Sequence, residues 1–469
     1  MNLRLIAVDI GAGSGRVMFG RYSDGALTLR EENRFTHPLE RGPRGELNWN
    51  FPIIWNRVRE AIERILAREG TVDSIGVESF SSDFCVFTED GQLSAPMASY
   101  RHYLGPQWFQ PLLSAMDREA FWRRTGNAPV SYFLLCQLMH QQDINPALRE
   151  RGSVVLPLAN AINYLLCGKA CTDVTVSSMS LLNDAATGQW DEALCHRFLA
   201  EPAVLPPVVP CATVLGPCVL PCTGDAPQVV NVGMHDTAVA NSMIGRCAMD
   251  QICINAGTWI SVGVITDHPV TSDEALALSM TNAGLPDGRN LLCRIMMGTW
   301  YLQQLRRFWQ SQGREIGYGE MGEMAGAAQE PWRPIDVWQG DYFDSDPDLP
   351  RLIREWILER YGVAVESEAA LLRCVYEGIA EAIGKQIENL EALLDRRCET
   401  IYMGGGAVRD AFLIQCIERR CSKPVVCLPV ESTAVGNALI QLQALGALPT
   451  EEMARALLGA VRFETGPQN

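Results

Sequence analysis

His235 and Asp236 stand side by side in NVGMHDTAVANS, residues 231–242, directly after the apolar run VVNV and a glycine, Gly233. A carboxylate set in apolar sequence is costly to bury unless it is paired or employed. An aspartate so placed can accept the proton of a hydroxyl group, which phosphoryl transfer to an alcohol requires of a base. Such general-base help is worth ~10²–10⁴ in rate. The same residue can also cap a helix that begins near Ala238, because Asp is a favoured N-cap. His235 alone reads as a packed, hydrogen-bonded histidine.

Three glycine-rich turns could supply the other partner of such a reaction. GAGSGR, residues 11–16, has the spacing G-x-G-x-G, and strand-like VMFGRY follows it. A dinucleotide fingerprint has a different spacing and runs into a helix. A glycine turn between two strands instead lets backbone N–H groups approach a phosphate. Ala12, Gly13, Ser14 and Gly15 would form that cradle, Arg16 would add charge, and Asp9 could hold a magnesium ion directly or through water. A plain hairpin that needs positive φ is the alternative. NAGTWIS, residues 255–261, repeats the device with Thr258 as a hydroxyl donor. Two such hairpins in two halves can clamp a nucleotide. In YMGGGAVRDAFLIQC, residues 402–416, Gly404, Gly405 and Gly406 would let a flat ligand lie on backbone, or would serve close strand–helix packing.

The elements that must position these residues alternate between strand and helix patterns, which argues for an α/β architecture. Strands are predicted at 3–9, 16–22, 26–30, 73–78, 228–233, 250–255, 260–265 and 400–403, with another in PVVCLP. Helices are predicted at 52–68, through much of 106–200, and at 375–394, 408–420 and 433–445. The proline-rich stretch 202–227 reads as loop with hairpin-like pieces. Asp9-x-Gly11 in the first hairpin matches Asn255-x-Gly257 in the second, and SIGVESF and TIYMGGG fall late in their halves. This pattern suggests a duplicated unit with a boundary near 242–249.

With 469 residues, 47 % of them apolar, the chain can form two large domains. Its net charge of −16 argues against a sequence-independent grip on nucleic acid, which needs clustered Lys and Arg. No run of 18 or more apolar residues suggests a membrane span, and the first residues show no secretory signal. Many of the 16 cysteines lie in apolar stretches, such as Cys85, Cys136 and Cys253, as expected of reduced thiols in a cytoplasmic protein. Cys211, Cys218 and Cys222 cluster without CxxC spacing, so loop cysteines are a better reading than a zinc site.

Taken together, D-I-G-A-G-S-G-R, G-M-H-D-T-A, N-A-G-T-W, G-G-G-A-V-R-D and the late ESTAVGNALIQLQALGAL resemble the FGGY carbohydrate kinases nearly end to end. The resemblance implies a two-domain actin-like ATPase (ribonuclease H-like) fold, a duplicated α/β unit with an interdomain cleft. Residues 1–244 would form the N-terminal domain and 245–469 the C-terminal one. It also implies ATP, Mg²⁺ and a ketose phosphorylated at its C1 hydroxyl, with no nucleic-acid or membrane partner, in a monomer or homodimer. Carried over residue by residue, Asp236 falls on the catalytic base, His235 on a sugar contact and Asp9 on the magnesium-associated aspartate. Ala12 to Arg16 fall on the first phosphate loop, Thr258 on the second, and Gln303 with Gly404–Gly406 on nucleotide contacts. The rhamnulose-phosphorylating branch reads T-W-G-V-D-F where this chain has SFSSDF (79–84), and A-Y-R-D where it has SYRH (99–102). That branch also carries Asn at the position of Ile295. Glu78, Ser81, Asp83 and Arg101 are the expected sugar contacts, Asp83 with a structural role as the alternative. A rhamnulose-like deoxy sugar is the expected acceptor and fuculose the nearest alternative. A non-catalytic binding protein on the same fold is the reading from another class.

Overall fold

A computed structural model describes residues 1–43, 45–103, 106–245, 251–337, 348–429, 431–448 and 450–464. The chain packs as two units: Met1–Cys247 with Thr266–Leu291 and Thr433–Asn469, and Ala248–Ile265 with Leu292–Ser432. The second half of the boundary expected near 242–249, residues 246–249, lies outside the described residues.

The first unit is built on β1 (Leu3–Ile10), β2 (Ser14–Ser23), β3 (Ala26–Thr36), β4 (Ser74–Ser79), β5 (Thr213–Pro217) and β6 (Gln228–Asn231). Their order in the sheet is β5-β6-β4-β1-β2-β3, and the strand Val461–Glu464 pairs in parallel with β3 at the edge. β1 and β2 form an antiparallel hairpin, while β1, β4 and β6 run parallel. β1 is buried on both faces. Successive side chains point to opposite faces of a strand, so Ile6, Val8 and Ile10 enter one core, while Leu5 and Ala7 enter another. Helix α1 (Phe51–Glu69) packs Ile54, Val58, Ile62 and Ile65 into the first of these cores. Its start is fixed by Asn50, whose side chain accepts from Ile53 N at 3.1 Å, with Pro52 in the first turn.

Helix α2 (Asp236–Gly245) follows β6 after the turn at Gly233. Gly233 has φ 95°, and a Cβ there would lie 3.1 Å from Pro286 Cγ, so the turn needs glycine.

The second unit repeats the plan. Its strands β7 (Ile252–Ala256), β8 (Trp259–Thr266), β9 (Asn290–Met297), β10 (Ile401–Gly404) and β11 (Val425–Cys427) run in the order β9-β8-β7-β10-β11. Again the first two strands form an antiparallel hairpin, and the later two run parallel to the first. The order matches β3-β2-β1-β4-β6, so the weak repeat between the two hairpins corresponds to one topology used twice.

Helices α3 (Trp300–Ser311), α4 (Glu368–Leu393) and α5 (Ala411–Cys421) lie in this half. α4 begins seven residues before the expected 375, because Ser367 caps it by accepting from Ala370 N at 3.1 Å. The helix expected at 408–420 is instead a 3₁₀ turn, Gly406–Arg409, followed by α5, since Asp410 caps at Leu413 N (3.1 Å). The final long helix, α6 (Ser432–Ala444), sends Val435, Leu439 and Leu442 into the core shared with Leu5 and Ala7 of β1. No helix among the described residues is long and apolar enough to cross a membrane.

Candidate active site

In the first unit the parallel strands carry acidic residues to one end of the sheet. Asp9, near the end of β1, is in register with Arg16 on β2 and Glu78 on β4. Asp9 Oδ2 accepts from Thr433 Oγ1 at 2.7 Å and lies 3.3 Å from Arg16 Nε. Glu78 is wholly buried, and neither carboxylate oxygen has a hydrogen bond of good geometry among the described residues. Burial first, then the charges of Asp9 and Asp236, hold its carboxyl well above the usual range, against a smaller pull from Arg16 and the Asn437 amide.

Asp236 opens α2, two residues earlier than the helix start expected near Ala238. Its Oδ1 accepts from the backbone N–H of Thr237 at 2.5 Å, the next residue rather than one two or three places on. Burial, followed by the Asp9 charge, pushes its carboxyl up to about 7, although 23 % of the side chain still reaches solvent. His235 Nε2 lies 3.7 Å from Asp236 Oδ1, and burial lowers the ring to about 4, which keeps it neutral at physiological pH. A neutral imidazole can both donate and accept, and His235 Nδ1 has no partner among the described residues.

The turn that carries this pair is held from two sides. Met234 N donates to Asp173 Oδ2 (3.1 Å) and Thr175 Oγ1 (3.0 Å), and His235 N also donates to Thr175 Oγ1 (3.1 Å). On the other side Ser79 N donates to Met234 O at 2.7 Å. Asp173 and Thr175 escaped sequence reasoning, because nothing local marks residues some sixty positions away as supports. Thr433 left a signal: Thr433, Asn437 and Gln441 recur every fourth residue in a mostly apolar helix, a stripe of one helix face.

The expected sugar contacts divide into two groups. Asp83 is fully buried and accepts from Trp49 Nε1 (2.6 Å), Tyr100 N (2.8 Å) and Gln137 Nε2 (3.2 Å). Burial nevertheless raises its carboxyl to about 7. Arg101 is exposed, lies over the rings of Trp49 (5.7 Å) and Tyr100 (5.8 Å), and donates to Ala12 O at 3.1 Å. It therefore touches the first glycine turn, where Gly11 N donates to Ser14 O at 3.0 Å. Gly13 is exposed and Gly15 packs where a side chain would strike the Phe35 ring. Ser81 is half-buried beside Ser82, which has φ 82°.

In the second unit the hairpin turn and the start of α3 are tied together. Gly257 N donates to Trp259 O (2.9 Å), Thr299 N to Gly257 O (3.0 Å), and Gly298 N to Thr258 O (2.9 Å). Gln303 Nε2 donates to Thr258 Oγ1 at 3.0 Å, so these two expected nucleotide contacts meet. Thr299 joins them, donating to Gly257 O at 2.7 Å. It was not foreseen, although Gly-Thr-Trp occurs at both 257–259 and 298–300. Gly404 ends β10, and Gly405 has φ 87° with a would-be Cβ 2.5 Å from Ala256 O. Gly405 thus packs closely against the β7–β8 hairpin, whereas Gly406 is open, with nothing within 4 Å of a would-be Cβ.

No group of three His, Cys, Asp or Glu side chains is gathered for a metal ion among the described residues. Magnesium needs no such cage, because it keeps several waters and binds through one or two carboxylates. Asp9, with its neighbours Glu78 and Asp236 partly offset by Arg16, fits a hydrated divalent cation on that basis.

Comparison with known proteins identifies the pattern. The sequence signature of the FGGY family of carbohydrate kinases matches twice, its N-terminal domain over residues 4–242 and its C-terminal domain over 252–445. The chain belongs to this family. It is a phosphotransferase that acts on a carbohydrate, and the family uses a sugar and ATP as its small-molecule partners. A rhamnulokinase of Bacteroides thetaiotaomicron is 30 % identical over 95 % of this chain and 92 % of its own length. One from Pectobacterium carotovorum is 29 % identical over 95 % of this chain and 88 % of its own length. Among solved structures, a glycerol kinase from Plasmodium falciparum with ADP superposes with TM-score 0.79 at 14 % identity, over 99 % of this chain and 94 % of that one. A gluconate kinase from Lactobacillus acidophilus gives 0.77 at 15 %, over 97 % and 92 %. These likenesses show the two-domain α/β fold of FGGY sugar kinases expected from the sequence.

Proposed function

We propose that this sugar kinase transfers the terminal phosphoryl group of ATP to the C1 hydroxyl of a rhamnulose-like deoxy-ketose, with Asp236 as the base. The observation that carries this reading is the state of Asp236. Its carboxyl is pushed up to about 7 by burial and by Asp9, at the start of a helix whose preceding turn is hydrogen-bonded on both sides. A base whose pKa lies near the working pH combines availability with proton affinity. The rhamnulokinases among the relatives suggest the sugar class.

In this reading residues 1–244 form the domain that binds the sugar, and 245–469 the domain that completes the nucleotide site. The acceptor hydroxyl donates to Asp236, which takes its proton as the oxygen attacks phosphorus in line. His235, kept neutral by burial, orients a neighbouring sugar hydroxyl, with Glu78, Ser81 and Arg101 as further contacts. Asp83 contributes by fixing Trp49 and the backbone at Tyr100, from which Arg101 extends. Backbone N–H groups of Ala12 to Gly15 and the Arg16 guanidinium stabilise charge on the transferring group. Thr258, Gln303 and Gly404–Gly406 hold the rest of the nucleotide. Asp9, anchored by Thr433, is the residue that would hold magnesium, which when bound offsets phosphate charge.

The test is Asp236→Asn, assayed by ADP release over a ketose panel that includes L-rhamnulose and L-fuculose. The variant is expected to lose about 10²–10⁴ in kcat, with the KM for ATP little changed. Near wild-type turnover in the variant would overturn the base assignment. ATP binding by the wild type with no turnover on any sugar would favour a non-catalytic binding protein. The sugar with the highest kcat/KM decides between rhamnulose and fuculose.

A further inference from the structure

The first unit contains a cavity of about 460 Å³ whose lining includes none of the candidate catalytic, sugar-contact or nucleotide-contact residues. Its walls come from segments 174–189, 208–211 and 267–290. We propose that this cavity is a second binding site, for an uncharged polyhydroxy compound the size of a monosaccharide or hexitol. The proposal does not rest on the role given to Asp236.

Three observations set the ligand class. Asn183 lines the cavity and is 2 % exposed; its Nδ2 donates to Thr125 O at 3.3 Å, but its Oδ1 has no partner among the described residues. A buried carbonyl oxygen without a donor carries an unrelieved desolvation cost, and a ligand hydroxyl would supply the donor. The lining includes Asp267 and Asp287 but no Lys or Arg; Asp287 is paired with Arg289 at 2.6 Å, which leaves Asp267 as the carboxylate that would repel a phosphorylated or carboxylated ligand. The rest mixes amide and hydroxyl groups of Gln189, Asn290 and Thr187 with the apolar surfaces of Val174 and Pro286. That mixture suits a molecule with hydroxyls on its edge and carbon on its face.

The cavity stands next to the turn that carries His235 and Asp236. Val174 lies between Asp173 and Thr175, the two residues that hold Met234 and His235 by their backbone N–H groups. Pro286 Cγ would lie 3.1 Å from a Cβ on Gly233, the glycine of that turn. An occupant would therefore pack on the reverse of the catalytic turn.

The test is equilibrium binding of sorbitol, galactitol and glucose 6-phosphate to the full chain and to Ala186→Trp, Gln189→Trp and Asp236→Asn. Ala186 and Gln189 are exposed at the cavity wall, so an indole can be accommodated while it fills the space. Unfolding midpoints equal to wild type verify that each variant folds, and two filling variants guard against the failure of one. At least one hexitol is expected to bind the wild type and Asp236→Asn alike, and to bind each filling variant about tenfold more weakly or worse. No saturable hexitol binding, binding unaffected by either indole, or tighter binding of glucose 6-phosphate would each overturn the proposal. Loss of kinase activity alone would bear on Asp236 and not on this site.

Discussion

Replacing Gly76 by alanine tests how α6 is docked. Gly76 is central in β4, and a Cβ there would lie 2.6 Å from Val232 Cγ1 and 2.8 Å from Gln441 Nε2, and would also strike Asn437 Oδ1. Neither amide is free to yield. Asn437 Nδ2 donates to Gly76 O (3.2 Å), while Gln441 Nε2 donates to Ile6 O (3.0 Å) and to Asn437 Oδ1 (2.7 Å). Ser74 Oγ in turn donates to Gln441 Oε1 at 2.6 Å. Overpacking a filled core costs ~1–3 kcal/mol, and stranding one buried amide adds ~1–3 kcal/mol. Gly76→Ala should therefore destabilise the first unit by ~2–6 kcal/mol. Denaturant titration reads this as a lower midpoint at unchanged slope, with the transition of the first unit followed on its own. Asn437→Ala removes the nearest obstacle, so the double variant should be less than additive by ~0.5–3 kcal/mol. A loss under ~1 kcal/mol for Gly76→Ala, or strict additivity with Asn437→Ala, would refute this account of the interface between helix and sheet.

Three further outcomes are expected. Gly405→Ala forces a side chain into φ 87° and against Ala256 O and Asn255 Oδ1, so it should cost ~1–3 kcal/mol of stability and raise the KM for ATP more than that for sugar. A base must be unprotonated to act, so kcat/KM should fall as pH drops through about 7, and the residual activity of Asp236→Asn should lack that limb. Asp83, raised from an ordinary 3.8 to about 7, binds its proton more tightly folded than unfolded. Its contribution is therefore present below the unfolded value and is lost as pH rises through about 7; Asp83→Asn should flatten the fall in unfolding midpoint over that window.

Residues whose function depends on local chain geometry were legible in the sequence. The hairpins of residues 3–23 and 252–266, helix α1 and the parallel strand after it follow from period and turn chemistry, and the structure has them within a residue or two. The start of α4 is not legible, because the apolar stripe from 375 is clear while the cap at Ser367 lies a full two turns upstream. The turn at 405–410 is not legible, because a positive φ at Gly405 and the cap at Asp410 break what looks like one helix. Contacts between distant segments left little trace. Thr433 meets Asp9 across 424 residues, and Asp83 gathers donors from Trp49, Tyr100 and Gln137. Sequence shows that such residues are polar and set among apolar ones; only the fold shows which groups they answer.

The duplicated topology separates charge from geometry. In the first unit Asp9 pairs in register with Glu78; at the same two strands of the second unit Asn255 pairs with Gly404. Across the hairpin, Asp9 faces Arg16, whereas Asn255 faces Ser261. One copy thus carries two carboxylates and a guanidinium where the other carries an amide, a hydroxyl and a bare backbone. Carboxylates near one another raise each other's proton affinity, the condition under which Asp236 can act as a base near neutral pH. Neutral groups and glycine let an anion approach backbone N–H groups without repulsion. The two copies thus share one topology and differ in charge at a few register positions. Exchanging those sets is then the sharpest perturbation. Asn255→Asp places a carboxylate beside the glycine triplet, where a Cβ on Gly405 would lie 2.6 Å from the Asn255 Oδ1. It should weaken ATP binding by about tenfold or more, with the affinity for the sugar and the unfolding midpoint little changed. Equal losses in both affinities would mean that the neutral register of the second copy does not serve the nucleotide.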